Sequence, residues 1–450
     1  MSNARHADLT QIRRHWRSLC DTIGERVSGS EDEQRAADYV ERQFKRFGLT
    51  ELKQQSFEFP NYKPSRCALW IQSGRSRKRV DNVEPFMFSV NTPAGAVRGP
   101  IEYLEGGHEF KFRRNLRGKI GLIIGGMSLM DRPLTQRLID SGMAGLIAVD
   151  ARVPFEWRTA IGAAPHWVEG YDLPTVGIPY RQATELLGQL PLKAELDIQG
   201  CVYPAMSQNV MAQVTGTTRP DQIIVVSGHH DAVAGTVGAD DNASGVVFAL
   251  ELARLFARRR PKRTIRFISF GVEEKLSIGA YVYMRSFNKK LRQQHVLTIN
   301  ADAIASRAGE DMLWVTGPRS LLRITERHYD KRDHPAKIIH GVNGFSDQFP
   351  LNIGGVPSIR LARPNMFGNT LGGYWSLHGK HDNLANVDPK VMARTVDTIA
   401  AIISEIANTE RLPFARKIPV DQMKTVKHTA KHVYHHPYFP SRFDYSFYEK

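Results

Sequence analysis

The feature that most limits how this chain can fold begins near residue 206. There a continuous apolar run, a turn, a long helical stretch and another apolar run follow one another. Ile223-Ile224-Val225-Val226 has no polar interruption, as a strand covered on both faces requires. Val246 to Phe256 stays apolar for longer than a strand allows and contains neither Gly nor Pro, so it reads as a buried helix. Ile265 to Phe270, Val296 to Ile299 and Leu313-Trp314-Val315 supply further strands. The alternation predicts a three-layer α/β/α sandwich with a mixed, largely parallel central sheet. Such sheets place their sites at the carboxyl ends of strands. His229, Glu273, Glu274 and Asp302 all follow expected strands.

The rest of the chain has another character. Ser30-Glu31-Asp32-Glu33 reads as a capping box, and Ala37, Val40 and Phe44 recur at helical spacing until Gly48. After about residue 60, short apolar runs are punctuated by Gly and Pro, as in Gly118-Lys119-Ile120-Gly121-Leu122-Ile123-Ile124. This predicts a small β-rich module inserted at 61–205 into a discontinuous domain formed by 1–60 and 206–415. Residues 416–450 form a basic tail rich in His and aromatic residues, read as an irregular strap anchored by side chains such as Tyr438, Phe439 and Phe443.

A chain of 450 residues with 42% hydrophobic and 24% charged residues has ordinary globular composition and room for two cores. Cys20, Cys67 and Cys201 are too scattered for a disulfide framework or a thiolate metal site. No apolar run is long enough to span a bilayer and no signal peptide is visible, so the expectation is a cytoplasmic protein without a membrane partner. The net charge of +15 raises nucleic-acid binding, but no matching motif accompanies it. Its densest run, Arg258-Arg259-Arg260-Pro261-Lys262-Arg263, reads as a solvated helix C-terminus, and no nucleic-acid partner is expected.

His229-x-Asp231 after a strand suits a metal ligand and the carboxylate that fixes its ring, although alone it reads as a turn. His230 points the other way along an extended segment. Asp240-Asp241-Asn242 before a helix reads as an N-cap cluster, or as ligands when taken with the upstream histidine. Glu273 and Glu274 follow a strand and Gly271, where loop carboxylates face a site. Asp302 ends an uncharged segment, and a buried aspartate without a cation is costly. His378 and Asp382 close the series in Leu377-His378-Gly379-Lys380-His381-Asp382.

The order His-x-Asp, Gly-Ala-Asp-Asp-Asn-Ala-Ser-Gly, Glu-Glu, Asp, and a late His followed by Asp at i+4 resembles peptidase family M28, the di-zinc metallopeptidases of aminopeptidase type. Arg26-Val27-Ser28-Gly29-Ser30 extends the likeness, and the 61–205 module looks like a protease-associated insert. The resemblance implies two zinc ions per chain bridged by Asp241. His229 and Asp302 would complete one site, and Glu274 and His378 the other. Glu273 would be the general base, taking a proton from water and giving it to the leaving amine, with Asp231 supporting. It also implies a cis peptide after Asp241. Asp240, Asn242, Asp382, Ser346 and Asp347 are supporting or pocket candidates.

Leu377 stands where relatives often carry an oxyanion-stabilising Tyr, which leaves Tyr374 and Trp375 as candidates. Lys275 stands where Gly is commoner, and Gln348 where His is. The implied activity is an aminopeptidase acting on peptides. The alternatives are a carboxypeptidase or other amide hydrolase, glutaminyl cyclisation, and an inactive binding protein. Nitrogen and oxygen ligands also admit other divalent metals. The oligomeric state stays open, a homodimer being one option.

Overall fold

The apolar runs form strands, and Ile223, Ile224, Val225 and Val226 sit at the heart of a sheet with at most 4% exposure. The computed structural model describes residues 6–93, 95–125, 132–150, 171–287, 291–364 and 376–433. It contains two compact units, one formed by Met1–Phe59 and Met206–Ala430, the other by Pro60–Ala205. β1 (Thr50–Ser73) carries the chain out of the first unit and β2 (Lys193–Val214) carries it back.

In the first unit the further strands are β3 (Arg219–His229), β4 (Arg263–Phe270), β5 (His295–Ala301), β6 (Met312–Thr316), β7 (Lys337–His340) and β8 (Ser358–Ala362). Their order is β7-β6-β8-β5-β3-β4-β2, with β1 paired to β2. β3 runs parallel to β4 and β5, and β5 parallel to β8. β6 is antiparallel to β8, and β2 to β4. The sheet is therefore mixed and largely parallel, with β3 central, as the apolar runs predict.

Helices cover both faces. α1 (Leu9–Arg17), α2 (Glu31–Phe47), α3 (Ala243–Phe256), α5 (Arg319–Asp330) and α7 (Pro389–Asn408) pack on one side; α4 (Ile278–Phe287) and α6 (Gln348–Ile353) pack together on the other. α3 is buried all round apart from Arg254, which explains why its sequence shows no polar face. In α2, Ser30 accepts from the Glu33 N–H and Gly48 closes the helix at φ 77°. The capping box is only half made. The Glu33 carboxylate takes the Gly29 N–H and the Ser207 hydroxyl, because it is drawn into the core at 1% exposure.

The second unit is β-rich, as its punctuated sequence suggests. Ile120–Ile124 pairs in parallel with Val97–Tyr103 and Gly145–Asp150, and the latter with Thr175–Pro179. Helices Arg132–Asp140 and Tyr180–Leu187 accompany them.

Two expectations change. Part of the expected irregular tail is a helix, α8 (Val420–Val433), whose Val426 and Ala430 are buried; Tyr438, Phe439 and Phe443 lie outside the described residues. Nor is the arginine run wholly solvated. Arg258 and Arg260 are exposed, but Arg263 is 1% exposed and donates to the carbonyls of Ile406 and Thr409. Among the described residues no helix is long and apolar enough to cross a membrane.

Candidate metal centre and active site

His229 is the last residue of central β3. Its Nδ1 meets the Asp231 carbonyl oxygen at 3.1 Å, which turns Nε2 toward a group of carboxylates. Asp241 Oδ1 lies 3.2 Å from that Nε2, Asp302 Oδ1 3.7 Å and Glu273 Oε2 3.8 Å. His378 Nε2 lies 2.9 Å from Asp241 Oδ2 and 3.2 Å from Glu274 Oε2. Asp241 thus offers one oxygen to each histidine. One atom each of His229, Asp241 and Glu274 fall within 4.8 Å of one another. The strands end on one edge of the parallel sheet, and the connections leaving that edge bring the six side chains together.

Local structure fixes the loops. Asn242 caps α3, accepting the Gly245 N–H at 2.7 Å, while its amide donates to the Ala301 carbonyl at 2.9 Å. The N-cap reading therefore holds for Asn242 and leaves Asp241 free to face the histidines. The Asp241–Asn242 peptide is cis, as the resemblance implies. Asp240 turns away and accepts the Ala305 N–H at 2.8 Å. Trp16 Nε1 donates to the Ala239 carbonyl at 2.9 Å. Arg26, fully buried, donates to the carbonyls of Leu19, Gly24, His230, Val237 and Gly238. Val272, Ala303, Ser346 and His378 all have φ between 53° and 76°, a clustering of unusual backbone typical of functional loops.

The Asp231 carboxylate does more than steady a ring. Its two oxygens take the backbone N–H groups of Glu273 and Glu274 at 3.0 and 3.2 Å, and Ser28 donates to it at 2.8 Å. The main hydrogen bond of His229 instead runs from its Nδ1 to the Asp231 carbonyl oxygen, which accepts, with the carboxylate at 3.4 Å. His230 stays apart, with Nδ1 at 3.0 Å from Ser269 Oγ.

Buried carboxylates outnumber cations here, and that sets the protonation behaviour. Burial alone would depress His229, yet the carboxylates of Glu273, Asp231, Asp241 and Asp302 hold it well above its ordinary pKa. His378 is likewise raised to about 10, against its own burial, by Glu274 and Asp241. Burial pushes Glu273 well above the carboxylate range, helped by Asp347, Asp302 and Glu274. Asp241 is held low, despite burial, by the imidazoles of His229 and His378 on either side of it. Imidazole nitrogens and carboxylate oxygens converge, and the buried His229 Nε2 and Glu274 Oε1 have no hydrogen-bond partner. That donor set fits a divalent cation such as zinc, which would also offset the cost of so much buried negative charge.

The structure thus brings His229, Asp241, Glu273, Glu274, Asp302 and His378 together, with Asp231 and Asp382 behind them. Ser346 accepts from the Asn300 amide at 2.8 Å, and Asp347 is fully buried with neither oxygen hydrogen-bonded. Tyr374 and Trp375 lie outside the described residues. Sequence reasoning missed two contacts. Arg360 Nη2 lies 3.2 Å from Asp302 Oδ2, so a guanidinium already attends the aspartate expected to need a cation. Ser277 Oγ donates to Glu273 Oε1 at 3.2 Å. Neither residue belongs to a local pattern that marks it.

Residues 209–403 match peptidase family M28. That stretch is similar to the peptidase domain of that family. The chain is 34% identical over 33% of its length to a "Probable zinc metalloprotease" of Pyricularia oryzae, a match spanning 30% of that protein. Against "Probable leucine aminopeptidase 2" of Aspergillus fumigatus it is 24% identical, over 90% of this chain and 85% of the relative. Against mouse "Carboxypeptidase Q" it is 23% identical, over 63% of each. The chain therefore spans less than two thirds of the first and third of these relatives. An aminopeptidase from Aneurinibacillus sp. strain AM-1 shares the fold with a TM-score of 0.71 at 24% identity, covering 93% of this chain and 98% of that one. A zinc aminopeptidase of Bacillus subtilis does so with 0.74 at 20% identity, covering 93% and 99%.

Proposed function

We propose that this protein is a zinc-dependent exopeptidase, an aminopeptidase that removes N-terminal residues from peptides. The observation that carries the reading is Asp241, whose two oxygens face His229 and His378 at 3.2 and 2.9 Å. Such a carboxylate suits a bridge between two ions. His229 and Asp302 would complete one site, and Glu274 and His378 the other. When bound, the ions would lower the pKa of water and polarise the scissile carbonyl. Glu273 is the group left to move protons: Oε2 takes one from the attacking water and returns it to the leaving amine. Asp231 keeps Glu273 and Glu274 in register through their backbone N–H groups. The Pro60–Ala205 unit is proposed to be a protease-associated insert, on the strength of its position and β-rich make-up.

The test is metal quantitation beside a panel of free-amino and N-blocked peptides and aminoacyl-nitroanilides. Release of N-terminal residues from free-amino substrates alone is the expected result. A second reading, a carboxypeptidase, draws on the similarity to carboxypeptidase Q. Cleavage of N-blocked peptides from the other end would favour it and sink the first.

A further inference from the structure

Two adjacent glutamates are asked to do different work, one binding metal and the other carrying protons. The backbone does not distinguish them. Both N–H groups go to the same carboxylate, that of Asp231, at 3.0 and 3.2 Å. What differs is the partner of each side chain. Glu274 Oε2 lies 3.2 Å from His378, and Oε1 is buried without a hydrogen bond. Glu273 Oε2 faces His229 at 3.8 Å, whereas Oε1 accepts the Ser277 hydroxyl at 3.2 Å.

Ser277 precedes α4 and is fully buried. Its backbone already serves the turn, with N–H bonded to the Glu273 carbonyl at 2.8 Å and the carbonyl taking the Tyr281 N–H at 3.0 Å. A serine before a helix usually turns its oxygen to the free amides of the first turn; here the hydroxyl donates to Glu273. It does so from φ 54°, a left-handed conformation that glycine would adopt with less strain. A side chain kept in such a place invites a functional explanation.

We infer that Ser277 is a positioning residue that separates base from ligand: its bond to Glu273 Oε1 stops that carboxylate from rotating into the metal's ligand set and keeps Oε2 aimed at the reacting water. The inference rests on the peptidase reading above. Without the hydroxyl, Glu273 can turn about its last side-chain bond and present both oxygens to the cation, as a ligand rather than a base.

The experiment uses Ser277→Gly, which suits the backbone, and Ser277→Cys, which keeps the size. Each is loaded with zinc for kinetics and with cobalt for visible spectroscopy. The expected result is a kcat lowered roughly tenfold or more with KM and metal content unchanged, in line with the loss of a supporting hydrogen bond at a metal site. The cobalt bands should weaken as Glu273 joins the coordination sphere, and regain wild-type intensity in the Glu273→Gln/Ser277→Gly double variant. Wild-type kcat and cobalt bands in both single variants overturn the inference, as does a fall in kcat that simply tracks lost metal. If the wild-type protein cleaves no peptide, the peptidase reading fails, but the cobalt spectra still decide whether Ser277 holds Glu273 off the metal.

Discussion

Asp382 accepts the backbone N–H of Asp241 at 3.0 Å through one oxygen, and that of Asp240 at 2.6 Å through the other. A carboxylate four residues beyond His378 thereby fastens the loop of Asp241, the proposed shared ligand, to the loop of His378. Burial and the Asp241 charge raise its pKa to about 7. Asp382→Asn leaves one acceptor but sets an NH2 group against a backbone donor. The expected cost is about 1–3 kcal/mol of stability, with metal affinity reduced roughly tenfold or more. Denaturation and chelator competition on the same variant measure both, and unchanged metal affinity would refute the link between the loops.

Glu273→Gln keeps the size of the side chain but not its basicity. Turnover should drop by roughly a hundredfold to ten-thousandfold, the usual worth of a general base, while metal content holds. Plasma emission analysis beside steady-state kinetics checks this, and a variant that turns over at the wild-type rate with metal retained removes Glu273 from the role.

Arg26 touches no proposed ligand, yet it collects five carbonyl oxygens, those of Leu19 and Gly24 from the segment after α1, that of His230 just past β3, and those of Val237 and Gly238 from the approach to Asp241. Arg26→Met would leave several of them buried without donors, at a cost of roughly 3 kcal/mol or more. The denaturation midpoint should fall clearly, and metal should dissociate faster. A loss below about 1 kcal/mol, within the range of an ordinary substitution, would show that water replaces the guanidinium.

His15 gives a pH dependence remote from the candidate metal centre. Burial, reinforced by Arg14, lowers its pKa from 6.5 to about 3, and its Nδ1 lies 2.6 Å from the Tyr39 hydroxyl. The unfolded chain therefore binds the proton more readily than the folded one between those values. The stabilisation is fully present above pH 6.5 and is lost as pH falls toward 3, at about 1.4 kcal/mol per pH unit. Comparing wild type and His15→Gln by denaturant unfolding at pH 7 and 5, the variant should show the shallower decline. Equal slopes would mean His15 is protonated in the fold.

Much of this molecule is local information. Four apolar residues in a row at Ile223-Ile224-Val225-Val226 need cover on both faces, and an α3 without a polar face needs burial, so a sheet flanked by helices follows from the sequence. Most candidate ligands were legible for the same reason: His229, Asp241, Glu274 and Asp302 each end a strand, follow one closely or precede a helix, and His378 was legible only from its place in the order. The capping box misled because a propensity says where Glu33 can reach, not that the core will draw its carboxylate toward Ser207. Other relationships exist only once the chain has folded. Arg360 meets Asp302 across 58 residues, Asp382 meets Asp241 across 141, and Arg26 meets His230 across 204. Even Ser277, four residues from Glu273, needed a left-handed turn to aim its hydroxyl. Sequence chose the chemical groups, since periodicity and chain order are properties of neighbours. Tertiary structure chose their partners, since a hydrogen bond forms only where folding brings donor and acceptor to about 3 Å.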